Sequence, residues 1–254
     1  MPSQPAAARR ASIVDLAVSA GLTSVDELSE RFGVTPSTIR RDLALLTRAG
    51  QIARTYGGAM PAAAESSLRQ RRGEAHAAKA AIARWASAQV RPGQTVILDA
   101  GSTVGALAGQ LREVRELTVA TISMTAIGEL ADADGVTVEC LGGRLRPLSD
   151  GFVGALAEAA LERITADAVF LGTDGVSLDG EICEADLEQT RLKELMIRRA
   201  DRVYVLAHGA KLGSRPFHAW LQPRHPWTLV TDVSASDTAV NALRGHGVEV
   251  VVAA

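Results

Sequence analysis

A chain of 254 residues, 47% hydrophobic, is long enough to bury one large core and a small satellite domain. Its net charge of −2 argues against a general nucleic-acid coat, and two cysteines far apart in sequence argue against a disulfide framework. No apolar run approaches the roughly 18 residues that a membrane span needs, and no signal-peptide core opens the chain, so a cytoplasmic protein with no membrane partner is expected.

Residues 1–8 read as a disordered lead-in. Ser24 and Glu27 then form an S-x-x-E capping box, which predicts a helix carrying Val25, Leu28 and Phe32 on its inner face. Gly33 ends that helix and Val34 plugs the turn. Thr35 caps a second helix with Pro36 at its first position, and Gly50 is placed to stop it. At about 100° per residue, Ile39, Leu43 and Leu46 share one side of this helix. Ser37, Arg41, Ala44 and Arg48 lie roughly opposite, with Thr38 and Arg40 on the flanks. An apolar stripe for docking and a small-plus-basic stripe for a groove are the two faces a DNA-reading helix needs. Arginine forks take guanine O6 and N7 or grip phosphate, and small residues allow close approach. Residues 51–58 predict a short hairpin, a wing with Arg54 where it would meet the DNA backbone. The candidate DNA contacts are therefore Thr35, Ser37, Thr38, Arg40, Arg41, Arg48 and Arg54. The alternative is an amphipathic helical hairpin with a solvated basic face.

Through residue 73 there are ten arginines against six carboxylates, so the positive excess lies on this amino-terminal module. So modest an excess implies weak binding by one module. Two modules on a dimer would gain through effective concentration.

From about residue 76 strands and helices alternate. Apolar, β-branched runs at 95–99, 117–121, 136–141, 168–172, 202–207, 227–231 and 248–252 predict strands. Helix-like stretches follow at 104–111, 125–133, 154–163, 187–199 and 238–244, and residues 76–90 predict the helix entering this domain. Such alternation favours a largely parallel sheet covered on both faces, an α/β fold. The expected division is a DNA-reading domain at 9–60, a connector at 61–75 and an α/β domain at 76–254.

In an open parallel sheet, ligands bind beyond the carboxyl ends of the strands. Asp99 is followed there by Gly101, Ser102 and Thr103, then by a helix whose amino-terminal amides can face an anion. Thr121 is followed by Ser123, a second hydroxyl-bearing turn. Gly142 and Gly143 follow the third strand and permit close backbone approach. Asp174 and Gly175 follow the fourth, where a carboxylate can accept from sugar hydroxyls. Lys193, within the predicted helix 187–199, and Lys211, after the fifth strand, complete a candidate effector site. No cofactor and no metal-ligand spacing are indicated.

The run Phe32-Gly33-Val34-Thr35-Pro36-Ser37-Thr38-Ile39-Arg40-Arg41-Asp42-Leu43, followed by Gly50, Arg54, Gly57 and Gly58, resembles the DeoR family of bacterial transcription regulators. Glu65, Leu68, Arg71 and Lys79 occupy the spacing of that family's E-x-x-F-x-x-R…K connector, with Leu in place of Phe. Asp99-Ala100-Gly101-Ser102-Thr103 looks like its D-x-G-S-T loop, and Glu188 with Lys193 like its E-x-x-x-x-K segment, which lines the effector pocket. The resemblance implies an N-terminal winged helix-turn-helix followed by a largely parallel α/β sensor domain similar to ribose-5-phosphate isomerase. It also implies a regulator, in most members a repressor, whose partners are double-stranded operator DNA and a small phosphorylated metabolite. A homo-oligomer, dimer or tetramer, is expected. Two positions depart from the family: Ile122 stands where Asn is usual, and His208-Gly209-Ala210-Lys211 replaces D-x-S-K. The rival reading is a sugar-phosphate isomerase-like or acyl-transfer enzyme in which Glu181, Glu184 or Asp174 serves as general base.

Overall fold

The computed structural model describes residues 5–20, 23–48, 52–55, 58–61, 65–223 and 226–254; for residues 15, 17–20, 23, 47, 48, 52–55 and 58–61 it describes the backbone alone. The chain divides into two compact units, residues 1–65 and 66–254.

In the first unit, helix α1 (Ala6–Ala20) precedes strand β1 (Thr23–Ser24), helix α2 (Val25–Phe32) and helix α3 (Pro36–Arg48). Strands β2 (Ile52–Thr55) and β3 (Gly58–Pro61) form the expected hairpin, and β1 adds to its other edge in the order β1-β3-β2. The lead-in expectation fails from Ala6 onward: α1 is a helix whose Ile13 enters the same small core as Leu28, Ile39, Leu43 and Leu46. An alanine-rich start favours helix, and the buried contact made by Ile13 supplies the tertiary packing that a short helix requires.

Both ends of α2 are fixed by the residues the sequence singled out. The Ser24 hydroxyl accepts the Glu27 N–H at 3.1 Å while the Glu27 carboxylate accepts the Ser24 N–H at 2.9 Å. Gly33 closes the helix at φ +60°, a left-handed conformation that costs a residue with a Cβ. Gly50 lies outside the described residues. Asp42, 3% exposed, ties α3 to α1 by accepting from Arg9 Nε at 2.7 Å and Arg10 Nη1 at 3.3 Å.

The second unit opens with helices α4 (Leu68–Gly73) and α5 (His76–Ser87), followed by β4 (Thr95–Leu98), α6 (Ser102–Gln110), β5 (Leu117–Thr121), α7 (Met124–Leu130) and β6 (Val136–Cys140). A hairpin, β7 (Arg144–Arg146) and β8 (Gly151–Val153), precedes α8 (Ala155–Leu161) and β9 (Ala166–Leu171). Next come β10 (Gly175–Val176), β11 (Ile182–Glu184), α9 (Leu187–Arg198), β12 (Ala200–Leu206) and a short 3-10 turn at Gly209–Lys211. Strand β13 (Ala219–Leu221), β14 (Trp227–Asp232), α10 (Asp237–Gly245) and β15 (Glu249–Ala253) complete the chain.

Seven of these strands form one sheet in the order β15-β14-β12-β9-β4-β5-β6, and every neighbouring pair is parallel. All seven predicted strands are its members, with ends shifted by one or two residues. Side chains alternate across it. Val96, Leu98, Val119 and Phe170 face a layer made by α5, α6 and α7. Ile97, Ala120, Val169 and Val205 face a layer made by α8, α9 and α10. Two-sided burial explains the continuous apolar runs of the inner strands β4, β5, β9, β12 and β14, whereas the edge strands β6 and β15 are partly exposed. The strand order reverses between β4 and β9, so the ends of those two strands flank the switch point where open α/β sheets place their ligands.

Besides the β7–β8 hairpin, two small features of the second unit were not anticipated. Residues 61–75, read as connector, contain α4, capped by a second box in which Ser67 and Gln70 exchange hydrogen bonds and Leu68 is 1% exposed. A three-stranded antiparallel sheet, β10-β11-β13, stands beside the large one.

Candidate functional site

On α3 the expected division of faces is present. Ile39, Leu43 and Leu46 are buried, whereas Ser37, Arg40 and Arg41 are exposed and Thr38 and Ala44 are half-buried. The Thr35 hydroxyl accepts the Thr38 N–H at 3.3 Å and lies 2.8 Å from Ser37 Oγ and 3.0 Å from Thr38 Oγ1. Three hydroxyls therefore cluster at the helix start, where Pro36 carries no N–H and Thr35 caps the Thr38 N–H. The backbone of Arg48 lies in α3 and that of Arg54 in β2, but both side chains lie outside the described residues. Arg9 and Arg10, counted from sequence with the positive excess, are instead engaged by Asp42.

In the body, the switch point is occupied by a buried ion cluster. Lys193 of α9, 2% exposed, places Nζ 2.6 Å from the Gly172 carbonyl, 2.6 Å from Glu184 Oε1 and 3.0 Å from Asp99 Oδ2. An ammonium has three protons, and these acceptors take all three. Asp99 Oδ2 also accepts the Gly172 N–H at 2.9 Å, joining the end of β4 to the end of β9. Burial pushes the Glu184 carboxyl up to about 8 against the opposing pull of Lys193. Burial alone would lower Lys193, but Asp99 and Glu184 together raise it above the usual lysine range.

Thr121 and Ser123 are likewise engaged. The Thr121 hydroxyl donates to the Leu98 carbonyl at 2.7 Å and accepts the Ser123 N–H at 3.0 Å, while Ser123 Oγ caps α7 by accepting from Ala126 N–H at 3.2 Å. By contrast, α6 begins at Gly101 with no side-chain cap, so its first amides remain available beside half-buried Ser102 and buried Thr103.

A second group of charges surrounds Asp174. Arg71 of α4 donates to Asp174 Oδ1 at 3.2 Å and to the Leu148 carbonyl at 3.3 Å, and Asp174 Oδ2 accepts the Ala185 N–H at 3.2 Å. Lys211 donates to the Thr173 carbonyl, and burial pushes its ammonium down to about 8. His208 is lowered by burial and then by Lys211 and Lys79, so it is neutral at pH 7.

Other sequence-singled residues serve the frame. A Cβ at Gly143, φ +115°, would lie 2.7 Å from the Val153 carbonyl oxygen, and one at Gly175 would lie 2.5 Å from the Ser214 carbonyl oxygen. Close backbone packing explains both glycines, and Gly142 adopts φ +70° beside the first. Glu188 does not join Lys193; it pairs with Arg144 at the surface. Five positions along a helix turn a side chain about 140° away, which accounts for the separation. Glu184, named in the sequence only as a possible base, is the true partner of Lys193.

Ile122, where an amide was expected, is 1% exposed in the core beneath α8. At the other departure, Asp232 of β14 supplies a carboxylate to the turn: Oδ1 accepts the Gly209 N–H at 2.8 Å and Oδ2 the Ser234 N–H at 3.0 Å. Among the described residues no helix is long and apolar enough to cross a membrane.

Family models match both units: the DeoR-like helix-turn-helix domain over residues 9–63 and the DeoR C terminal sensor domain over residues 74–233. The chain belongs to the DeoR family. Relatives of this DeoR-family protein include the HTH-type transcriptional regulator YulB of Bacillus subtilis, 34% identical with 96% of this chain and 95% of that one covered. The HTH-type transcriptional regulator GlpR of Haloferax volcanii is 32% identical, covering 96% and 97%. The glycerol-3-phosphate regulon repressor of Escherichia coli K12 is 30% identical, covering 81% and 82%. These relatives are regulators, and the DeoR-family chain is a DNA-binding transcription regulator, not an enzyme. Among solved structures, a D-ribose-5-phosphate isomerase in complex with phospho-erythronic acid matches at 15% identity over 52% of each chain, with a TM-score of 0.40.

Proposed function

We propose that this regulator represses transcription from an operator which it grips as a homo-oligomer, and that a small phosphorylated metabolite bound to the α/β unit releases it. The observation that carries the DNA half is the outward face of α3: Arg40, Arg41 and Ser37 are exposed while the opposite stripe is sealed in the core. Arg48 and Arg54 extend the same reading along the helix and into the wing. For the effector, the supporting geometry is the uncapped start of α6 at Gly101, Ser102 and Thr103, near the strand ends that carry Lys211 and Asp174. Within this reading Asp99, Thr121, Ser123, Gly142, Gly143, Gly175 and Lys193 form the frame that holds the site. The relative named for the glycerol-3-phosphate regulon supports a phosphorylated ligand.

Release requires the metabolite to favour one conformation of the protein over another, a coupling of about 1–3 kcal/mol. The test is selection of bound duplexes from a random pool, then titration of the selected operator complex with phosphorylated sugars and polyols. Enrichment of a defined site, and its loss on adding one phosphorylated compound but not the parent sugar, is the expected result. A pool that never departs from random sequence would end the proposal.

A further inference from the structure

Among the described side chains of the first unit, one large apolar residue stands exposed: Leu45 of α3, at 45%. The leucines on either side of it do the packing. Leu43 is 1% exposed and Leu46 3% exposed, and both enter the small core with Ile39, which Leu45 does not join. Helix formation does not call for leucine at this position either. Lysine, arginine, glutamine and glutamate propagate a helix about as well without leaving an apolar surface in water. The folding of α3 therefore gives no reason for Leu45.

Its place on the helix does. At 3.6 residues per turn, Leu45 lies about 40° around the axis from Arg41, one turn earlier, and about 20° from Thr38, two turns earlier. Arg41 is exposed and Thr38 half-buried, so Leu45 continues the outward stripe rather than the sealed one. A solitary leucine edged by an arginine and a threonine is too small an apolar surface for a protein partner, which would seek a contiguous patch. The major groove of DNA offers a partner of the right size. Among the base edges displayed there, thymine alone presents an apolar group, its 5-methyl.

We propose that Leu45 is a specificity-determining residue of the operator interface, packing on the 5-methyl group of a thymine. This rests on the reading above that α3 enters the groove, and adds a base preference to it. Four positions along a helix advance about 6 Å, close to two base-pair steps of about 3.4 Å. The thymine therefore lies about two base pairs from the guanine or phosphate that Arg41 contacts, toward the carboxyl end of α3. Leucine neither donates nor accepts a hydrogen bond, so discrimination comes from the methyl group itself. Uracil and cytosine lack it and lose the contact, whereas 5-methylcytosine keeps it.

The experiment is gel-shift titration of the full chain against the duplex selected from the random pool, with each thymine replaced singly by uracil, which pairs identically. The expected result is a thymine position at which the replacement weakens wild type about fourfold, equivalent to about 0.8 kcal/mol for one methyl group taken from water. At that position Leu45→Ala should show no loss, and Leu45→Met, which keeps an apolar tip, should show most of it. Placing cytosine there and then 5-methylcytosine should recover a similar factor for wild type and none for Leu45→Ala. Because Leu45 lies outside the core, Leu45→Ala should melt as wild type does. If wild type and Leu45→Ala respond alike to uracil at every position, Leu45 touches no thymine, while the DNA-reading role of α3 stands on the selected site. A uniform fall in affinity with fewer subunits in sedimentation would assign Leu45 to a protein contact and overturn the proposal. If the pool yields no site, the groove reading of α3 falls and this proposal with it.

Discussion

Lys193→Met removes the cation that joins the Gly172 carbonyl, Glu184 and Asp99, all of them buried. Asp99 is 0% exposed and Glu184 3% exposed, and the Gly172 carbonyl also loses its donor. Stranding a buried partner in this way costs about 3–5 kcal/mol, a large share of the roughly 5–15 kcal/mol by which domains are stable. Glu184→Gln should be far milder, about 1 kcal/mol, because burial already disfavours charge on that carboxyl and an amide oxygen can accept from Nζ. The pH dependence has a definite sign. The Glu184 pKa is about 8 folded against an ordinary 4.5, so the folded chain holds the extra proton between those values. The stability this contributes is complete below the lower value and is lost as pH rises through the upper one. Urea unfolding followed by circular dichroism, from pH 5 to 8.5, should show wild type losing ground steadily to Glu184→Gln. A cost below about 1 kcal/mol for Lys193→Met, or a larger one for Glu184→Gln, would refute the account of an ammonium satisfied by three acceptors.

Arg41→Ala should weaken operator binding by about 1–3 kcal/mol in gel-shift titration if Arg41 reads a base, with selectivity over scrambled duplex falling in step. Loss of affinity without loss of selectivity assigns it to phosphate, and no change on either duplex removes α3 from the interface. Asp42→Ala removes the buried carboxylate that accepts from Arg9 and Arg10 and should destabilise the first unit by about 1.5–3 kcal/mol in thermal unfolding, whereas an unchanged melting curve would count against that tie between α1 and α3. Lys211→Met should stabilise the ligand-free chain at pH 7 by about 1 kcal/mol, because a buried ammonium pushed down to about 8 is held at a cost. That gain should vanish as pH rises from about 8 toward 10.5, where wild type loses the buried charge; a destabilised variant would count against it.

The elements most legible in sequence were those whose signals are local. Ser24, Glu27 and Gly33 fix both ends of α2 through bonds spanning a few residues, and the inner strands announced themselves as apolar runs because both sheet faces are covered there. Partners brought from far along the chain were not legible. Glu184 reads as an ordinary carboxylate until β11 and α9 place it against Lys193, and the spacing pattern that suggested Glu188 ignored the angle between positions on a helix. Strand 1 of the first unit is two residues long and α4 six, too short for periodicity to register.

The bond from Gly172 N–H to Asp99 and the lysine locked behind it stitch together segments that the ribosome makes far apart in time. The β4–β6 half of the sheet is complete by residue 140, yet its neighbour β9 starts at residue 166 and the fastening lysine emerges later still. A nascent chain must therefore carry an unsealed apolar edge along β4 while more than a quarter of the protein is synthesised. During that interval, aggregation and chaperone capture compete with closure of the seam.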